Sequence, residues 1–195
     1  RSNGYEEGPM SDGFNDWYQA GMFTFSTAIA RQDNPLDFIQ GLNAGTEKIV
    51  GNQKFIDLAE WVKEEFKVAQ NPLGSDFVSR TSAFTSGKAA MVIGGSWMQP
   101  SCDAVNPKMD LGMFSYPFTD DSEENGYLYS YVGPLWHVNS EAKNIEKAAA
   151  KEFISWLVFD TEGSKYLTTE MKTIPGLTNI TPDFEAIGPL GRILF

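Results

Sequence analysis

The stretch from about Asn52 to Ala69 carries the clearest helical pattern in this chain. Its apolar residues recur at steps of three and four, and its charged residues, Glu65 among them, fall largely between those positions. This spacing predicts a surface helix that covers a core with one face. The residues expected on the covered face are Phe55, Leu58, Ala59, Val62 and Phe66.

Five further segments carry helical patterns, and several begin or end with residues suited to capping. Gly87, for example, can adopt the left-handed conformation that ends a helix. The helices are expected from Asp16 to about Arg31, at Leu36 to Gly41, from Ser75 or Asp76 to Gly87, from Asn144 onwards with Ile145, Ala149, Phe153 and Trp156 on one face, and from Asp160 or Thr161 through Leu167.

Short apolar runs between these helices predict strands. The run Ala89 to Ile93 is suited to a strand buried on both faces, because it is apolar without alternation. Two more short strands are expected at Leu111 to Phe114 and at Leu135 to Val138. Strands that alternate with helices are typical of an α/β layered domain, here with a small mixed sheet flanked by helices.

A pair of glycines and a tryptophan follow the first of these strands. Gly94 and Gly95 are expected to turn the backbone sharply, and Ser96 is expected to cap a following helix. Trp97 then lies on the first turn of that helix at the mouth of the sheet, where ligands bind in open α/β folds. Packing of the same indole into the core is the alternative.

Residues 1 to about 13 differ in composition from the rest of the chain. They are rich in Gly, Ser and acidic residues, which predicts a loop that acts as a linker or a former hinge segment. Residues 14–195 fit one domain by length, and 42% hydrophobic content is enough for a sizeable core. The first residues are polar, so the secretory leader of an exported parent protein is expected outside this chain.

The chain carries a formal net charge of −11, and its isoelectric point is about 4.5. It has no run of Lys and Arg, which a phosphate-binding surface requires. Nucleic acid and anionic membranes are therefore not expected as partners. No apolar stretch approaches the roughly 20 residues of a membrane-spanning helix.

Residue counts and spacings argue against the common catalytic and metal motifs. The only histidine, His137, lies in an apolar run where a structural role is expected, and it excludes metal sites with two histidines. The only cysteine, Cys102, excludes an intrachain disulfide and is expected to be a small buried hydrophobe. We therefore expect no catalytic residue, no cofactor and no metal.

The densest group of carboxylates lies in one predicted loop. Asp120, Asp121, Glu123 and Glu124 lack the spacing of a calcium-binding loop, and we expect them to be solvated. A glycosidase needs two carboxyl groups, one of them with a raised pKa. No carboxylate lies in an apolar stretch that would raise its pKa, which counts against that reaction.

Aromatic residues make up 13% of the chain and include five Trp and seven Tyr. Aromatic rings pack on the apolar faces of sugars while a few polar groups bind the hydroxyls. Tyr127, Tyr129 and Tyr131 alternate just before Gly133, so an extended chain places all three on one side. A half-buried edge strand is the alternative interpretation of this pattern.

Several motifs resemble those of a known family in order and spacing. Phe84-Thr85-Ser86-Gly87-Lys88-Ala89-Ala90-Met91 followed by Gly95-Ser96-Trp97 is similar to a signature in the second lobe of extracellular solute-binding proteins of sugar ABC transporters, the group that includes maltose-binding protein. The resemblance covers roughly residues 14–180. It continues at Leu111 to Pro117, Gly133 to Asn139, Ala148 to Leu157, Thr161-Glu162-Gly163 and Ile174-Pro175-Gly176.

This resemblance implies a fold and a function. The fold is an α/β, type II periplasmic-binding-protein-like lobe, with residues 14–195 as the C-terminal lobe of a two-lobed protein and the N-terminal lobe absent. The expected function is to bind a carbohydrate, preferably an oligosaccharide, and deliver it to an ABC transporter permease. The resemblance further implies an extracellular monomer that is either lipid-anchored at the cell surface or periplasmic.

The resemblance also implies roles for four residues. Trp97 and Trp17 are expected to stack on sugar rings. The backbone at Gly133 is expected to let the ligand approach closely, and Tyr131 is expected to add a ring or a hydroxyl.

Three alternatives stay open at this point. A fragment of a glycoside hydrolase would use acidic residues. A ligand-free interaction module at the cell surface would keep the fold but turn Trp17 and Trp97 into the core. A peptide or polyamine solute could find partners for its ammonium group between Asp120 and Glu124.

Overall fold

A computed structural model describes residues 4–6, 8–117, 119–128 and 135–194 of the chain. The chain divides into two compact units. The first unit comprises Arg1–Ile93 and Phe114–Tyr129, and the second comprises Gly94–Met113 and Ser130–Phe195. The boundary expected near residue 13 stays a prediction. Within the described ranges, we find no helix with the length and apolar character needed to cross a bilayer.

The first unit contains most of the helices that the sequence predicts before residue 93. In chain order its elements are β1 (Met10–Ser11), a π-helix (Gln19–Phe25), α1 (Ser26–Ala30), α2 (Pro35–Ala44), α3 (Gln53–Val68), α4 (Phe77–Thr85), β2 (Met91–Val92) and a 3₁₀ turn (Glu124–Gly126).

The second unit is helical throughout its described regular elements. They are a 3₁₀ turn (Ser96–Met98), α5 (Gln99–Val105), α6 (Asn144–Phe159), α7 (Thr161–Thr169) and α8 (Gly188–Arg192). Together, the helices and the small sheet of the first unit confirm the α/β class.

The described sheet consists of two parallel strands, with Met10 paired to Met91 and Ser11 to Val92. The predicted strand at 89–93 is therefore shorter than expected, and its buried residues are the flanking Ala89 and Ile93 rather than the paired ones. Strand β1 lies within the segment expected to be a loop. Its pairing involves residues some 80 positions apart, which a local pattern does not reveal.

The prediction of two later strands is wrong. Residues 111–114 and 135–138 have no regular secondary structure. Phe114 is 68% exposed and Leu135 is 70% exposed, so these apolar runs do not supply the buried surface that a strand interior requires.

Helix α3 confirms the strongest sequence pattern. The side chain of Asn52 accepts a hydrogen bond from the Lys54 N–H and caps the helix, while Phe55 and Leu58 are buried on its inner face. Glu65, expected on the solvent side, is only 3% exposed. It lies seven residues after Leu58, which is two helical turns, so it faces the same interior.

The apolar core of the first unit lies between α1, α2 and α3. Phe38 and Phe55 stack with ring centroids 6.1 Å apart, next to the fully buried Ala28 and to Leu58. Trp61 meets the ring of Tyr116 edge to face at 4.6 Å. This last contact places the phenol of Tyr116 at the border between the apolar core and a polar cluster described below.

In the second unit, Leu157, Leu167 and Ile180 form a core where α6 meets α7. Asp160 starts α7 by accepting hydrogen bonds from the N–H groups of Glu162 and Gly163, as expected. The predicted apolar face of α6 is exposed, including Ile145 and Phe153. Leu157 is the buried residue of this helix.

Candidate functional site

Trp17 begins the helical segment of residues 17–30 and is 79% exposed. Its indole meets the ring of Tyr18 edge to face, with centroids 5.7 Å apart. The Tyr18 hydroxyl donates a hydrogen bond to Asp16 Oδ2 at 2.9 Å, which fixes the tyrosine. The exposed indole of Trp17 therefore lies on a helical segment, next to a tyrosine that is fixed by a hydrogen bond, and not on a loop.

Arg80 in α4 also holds Tyr18 in place. Its guanidinium lies 5.5 Å from the ring centroid of Tyr18, and Nη2 donates a hydrogen bond to the Tyr18 hydroxyl at 3.3 Å. Nη1 donates to Gln19 Oε1 at 2.8 Å and to the carbonyl oxygen of Ile93. Arg80 is 1% exposed, so these contacts satisfy a buried charge.

The π-helix places two side chains from this region on one face. Gln19 and Thr24 are five residues apart, which in an α-helix separates them by about 140° around the axis. The i to i+5 repeat of a π-helix brings them nearly into line. Both reach the Tyr116 hydroxyl at 3.2 Å, with Gln19 Nε2 as a donor.

Trp97 lies on the first turn of the helical segment that follows β2 in sequence, as predicted, and it is 43% exposed. Its six-membered ring lies directly over Gly95, where an added Cβ would overlap it. Gly94 has the same relation to the side chain of Met98. The glycine pair therefore makes room for two side chains.

The expected cap at Ser96 is wrong. Ser96 is the first residue of the 3₁₀ turn, and the residue before it, Gly95, occupies the capping position in extended backbone. No side-chain cap is formed at this turn. The close approach of the indole to Gly95 leaves no space for a side chain at the capping position.

The structure assigns the two predicted tryptophans to different units, Trp17 to the first and Trp97 to the second. Neither is buried in a core, so the alternative in which these indoles pack into the core does not hold. Tyr131 and Gly133 lie outside the described residues, and their roles stay predictions.

The first unit also contains an open polar cavity of about 270 Å³. Lys54 forms an ion pair with Glu124 at its wall, and Arg31 donates hydrogen bonds to the carbonyl oxygens of Glu124 and Tyr116. The cavity offers both charges and amides to a small polar molecule. Its lining consists of Arg31, Gln32, Asp33, Asn34, Asp37, Phe38, Glu47 and Lys54.

The acidic loop is mostly solvated, as expected. Asp120, Asp121 and Glu123 are exposed, whereas Glu124 is tied to the first unit by its contacts with Lys54 and Arg31. Cys102 is fully buried, which confirms its expected role as a small hydrophobe, and burial raises the pKa of its thiol. Across the described ranges, we find no group of metal-binding side chains.

The first unit contains a buried pair of carboxyl groups, Asp12 and Glu65, that the sequence pattern does not predict. Asp12 follows β1 and is 0% exposed, and Glu65 faces it from α3 within hydrogen-bonding reach. Burial, with Asp12 as a neighbour, raises the pKa of Glu65 to about 10. The expectation that no carboxyl group has a raised pKa is therefore wrong.

This pair does not have the geometry of a glycosidase site. The carboxyl groups of a retaining glycosidase stand about 5–5.5 Å apart, and those of an inverting enzyme stand farther apart to admit water. Asp12 and Glu65 lie within hydrogen-bonding reach of each other, which leaves no room for a substrate between them, and both are closed off from solvent. The position of Glu65 two turns after Leu58 is the one sequence feature that indicates its burial.

Residues 4–186 match the sequence profile of a family described as bacterial extracellular solute-binding protein. No curated protein and no solved structure matches the chain. The family match spans both units and includes Trp17 and Trp97.

Proposed function

This chain belongs to the bacterial extracellular solute-binding proteins, and we propose that its solute is a carbohydrate, preferably an oligosaccharide. Proteins of this family bind small molecules outside the cytoplasmic membrane for uptake by an ABC transporter, and their fold is the periplasmic-binding-protein-like α/β lobe. A small-molecule ligand, a permease partner and an extracellular or periplasmic location follow from membership.

We further propose that residues 14–195 form the C-terminal lobe of a two-lobed protein and that residues 1–13 connect the lobes. The motif order that resembles the second lobe of sugar-binding members supports this assignment. In the proposed complex the two lobes close around the ligand. Catalysis plays no part in this account.

The proposal depends mainly on one observation, which is that Trp17 is exposed next to a Tyr18 side chain that is held in place. A freely exposed indole is costly to keep in water, because it presents a large apolar surface. The Trp17 indole contacts Tyr18, which is held in turn by Asp16 and Arg80. An exposed aromatic face with polar groups around it suits the flat apolar face of a sugar ring.

Trp97 provides a second surface of the same kind. The close approach of its ring to the bare backbone of Gly95 restricts where the indole lies, and part of it stays open to solvent. We propose that Trp97 stacks on another sugar ring. The roles of Gly133 and Tyr131, as a close approach and as a polar or aromatic contact, belong to the same proposal.

The exposed indoles also favour a ligand-binding lobe over a ligand-free interaction module. A module that had lost its ligand would be expected to turn both tryptophans into the core. Trp17 and Trp97 remain accessible instead, and Tyr18 beside Trp17 is held by hydrogen bonds to Asp16 and from Arg80.

Calorimetric titration with a panel of oligosaccharides tests the proposal on the chain itself and on Trp17→Ala and Trp97→Ala variants. Trp156→Ala is the matched control, because Trp156 is also partly exposed but lies on α6. Loss of a stacking indole is expected to lower sugar affinity by about 1–3 kcal/mol, as burial of a large aromatic surface implies.

Equal affinity of the Trp17→Ala, Trp97→Ala and Trp156→Ala variants for a sugar that binds the parent chain would contradict the proposed stacking roles. Binding of a polyamine or a peptide, with no sugar bound, would replace carbohydrate by the alternative solute class.

A further inference from the structure

Two buried carboxylic acids meet in the first unit with more acceptor oxygens than donors. Asp12 Oδ2 and both carboxyl oxygens of Glu65 have no hydrogen-bond donor among the described protein groups. Two ionised carboxylates in contact, both closed off from water, would repel each other and lack hydration. A proton between them removes both problems at once.

We propose that Asp12 and Glu65 form a proton-binding site that shares one proton, with the Glu65 carboxyl O–H donating to Asp12 Oδ2. The shared proton joins α3 to the residue that follows β1. The resulting hydrogen bond holds β1 against α3, and this contact is lost when the proton leaves.

The surroundings decide which residue holds the proton. Burial raises the pKa of Asp12 as well, but the Gly13 N–H donates to Asp12 Oδ1 at 2.8 Å and the positive charge of Arg80 also favours an ionised Asp12. Glu65 has neither a backbone donor nor a cation beside it among the described residues. The carboxylate therefore belongs to Asp12 and the carboxylic acid to Glu65.

The charged and titratable groups around the pair are Arg80 in α4 and, outside the regular elements, Tyr116 and Asp16. Arg80 in α4 is the cation, and its Nε lies 3.9 Å from Asp16 Oδ2, so it is shared with a second carboxylate. Tyr116 is a neutral neighbour, since burial raises the pKa of its hydroxyl. One guanidinium cannot neutralise Asp12, Asp16 and an ionised Glu65 together.

The direction of the pH effect follows from the proton balance. In the unfolded chain the Glu65 carboxyl group loses its proton near pH 4.5, whereas in the folded chain its pKa is raised to about 10. Folding therefore takes up one proton between these values. The contribution of the pair is fully present below the unfolded pKa and falls as the pH rises towards the folded pKa.

Urea unfolding at pH 6, 7, 8 and 9 tests this balance. One proton taken up on folding lowers the folding equilibrium constant tenfold for each pH unit. We expect this fall in the parent chain relative to Glu65→Gln, which keeps the donor but cannot titrate. Glu64→Gln is the matched control on the same helix, because Glu64 is solvent-exposed and paired with Lys67.

The infrared spectrum at pH 8 detects the proton directly. Ordinary carboxyl groups are ionised at this pH, so the stretching band of a protonated carboxyl group reports Glu65. The band is expected in the parent chain and in Glu64→Gln, and it is expected to disappear above pH 10. This measurement needs no variant at position 65, so it decides the matter even if Glu65→Gln does not fold.

Three results would overturn the proposal. The protonated band would be absent from the parent chain at pH 8. The parent chain and Glu65→Gln would show the same dependence of stability on pH. Added calcium or sodium chloride would stabilise the parent chain at pH 8 but not Glu65→Gln, which would identify a bound cation in place of the proton.

Discussion

The two units present a tryptophan to solvent by opposite means. In the first unit Trp17 contacts the ring of Tyr18. Tyr18 is held by a hydrogen bond to Asp16, and the buried Arg80 lies next to both residues. In the second unit the ring of Trp97 lies against the bare backbone of Gly95. A polar network is destabilised when one of its side chains is removed. A close contact between a ring and the backbone is instead disrupted when an atom is added at the glycine.

Removal of the buried cation is expected to have the largest effect. In Arg80→Met the apolar stem is kept, but Gln19, Tyr18 and the Ile93 carbonyl lose their donor. Breaking a buried charged network costs about 3–5 kcal/mol. We expect a loss of that size in the free energy of unfolding, measured with urea by circular dichroism.

Lys63→Met is the control for this substitution, because Lys63 is exposed and paired only across one helical turn with Glu60. A surface pair of this kind contributes about 0–1 kcal/mol. If Arg80→Met and Lys63→Met cost the same, the network below Trp17 does not stabilise the first unit.

An added methyl group at Gly95 is expected to have the next largest effect. In Gly95→Ala the new Cβ would overlap the ring of Trp97, so the indole has to move. Overpacking of this kind costs about 1–3 kcal/mol. We expect lower stability together with a shift in the fluorescence of Trp97, compared in a background where the other tryptophans are replaced by Phe.

Gly112→Ala is the matched control in the same unit, since a Cβ at Gly112 meets no atom within 4 Å. Unchanged fluorescence and stability in Gly95→Ala would mean that the indole does not lie over this glycine. A loss in Gly112→Ala equal to that in Gly95→Ala would point to a general effect of backbone stiffening instead.

Removal of a helix cap is expected to lower the free energy of unfolding by a smaller amount, and by the same amount in both units. Asn34 caps α2 by accepting from the N–H groups of Leu36 and Asp37, and Asp160 caps α7 in the same way. Replacement of either by Ala is expected to cost about 1 kcal/mol in urea unfolding. A much larger loss for one cap would show that the units also differ in local helix stability.

The sequence predicted best what depends on neighbouring residues. Helix α3 was predicted from its apolar spacing, and Gly87 has the left-handed backbone, with φ of 75°, expected at the end of α4. Strand β1 was missed because its two residues carry no period and pair with a segment far along the chain.

The candidate site divides in the same way. Trp17 and Trp97 were predicted by resemblance to a family, and the structure finds both partly or largely exposed. Their supports were not predicted, because Arg80 reaches Gln19 across 61 residues and a charged side chain is expected on a surface. The burial of Glu65 beside Asp12 was missed for the same reason.

The central claim is that Trp17 and Trp97 bind a carbohydrate. The most direct test is a two-dimensional NMR titration of the five indole N–H signals with oligosaccharides at millimolar concentration. The account predicts that the signals of Trp17 and Trp97 shift together for one class of sugar, while those of Trp61 and Trp156 stay in place. It is contradicted if no indole signal moves with any sugar, or if only Trp61 and Trp156 respond.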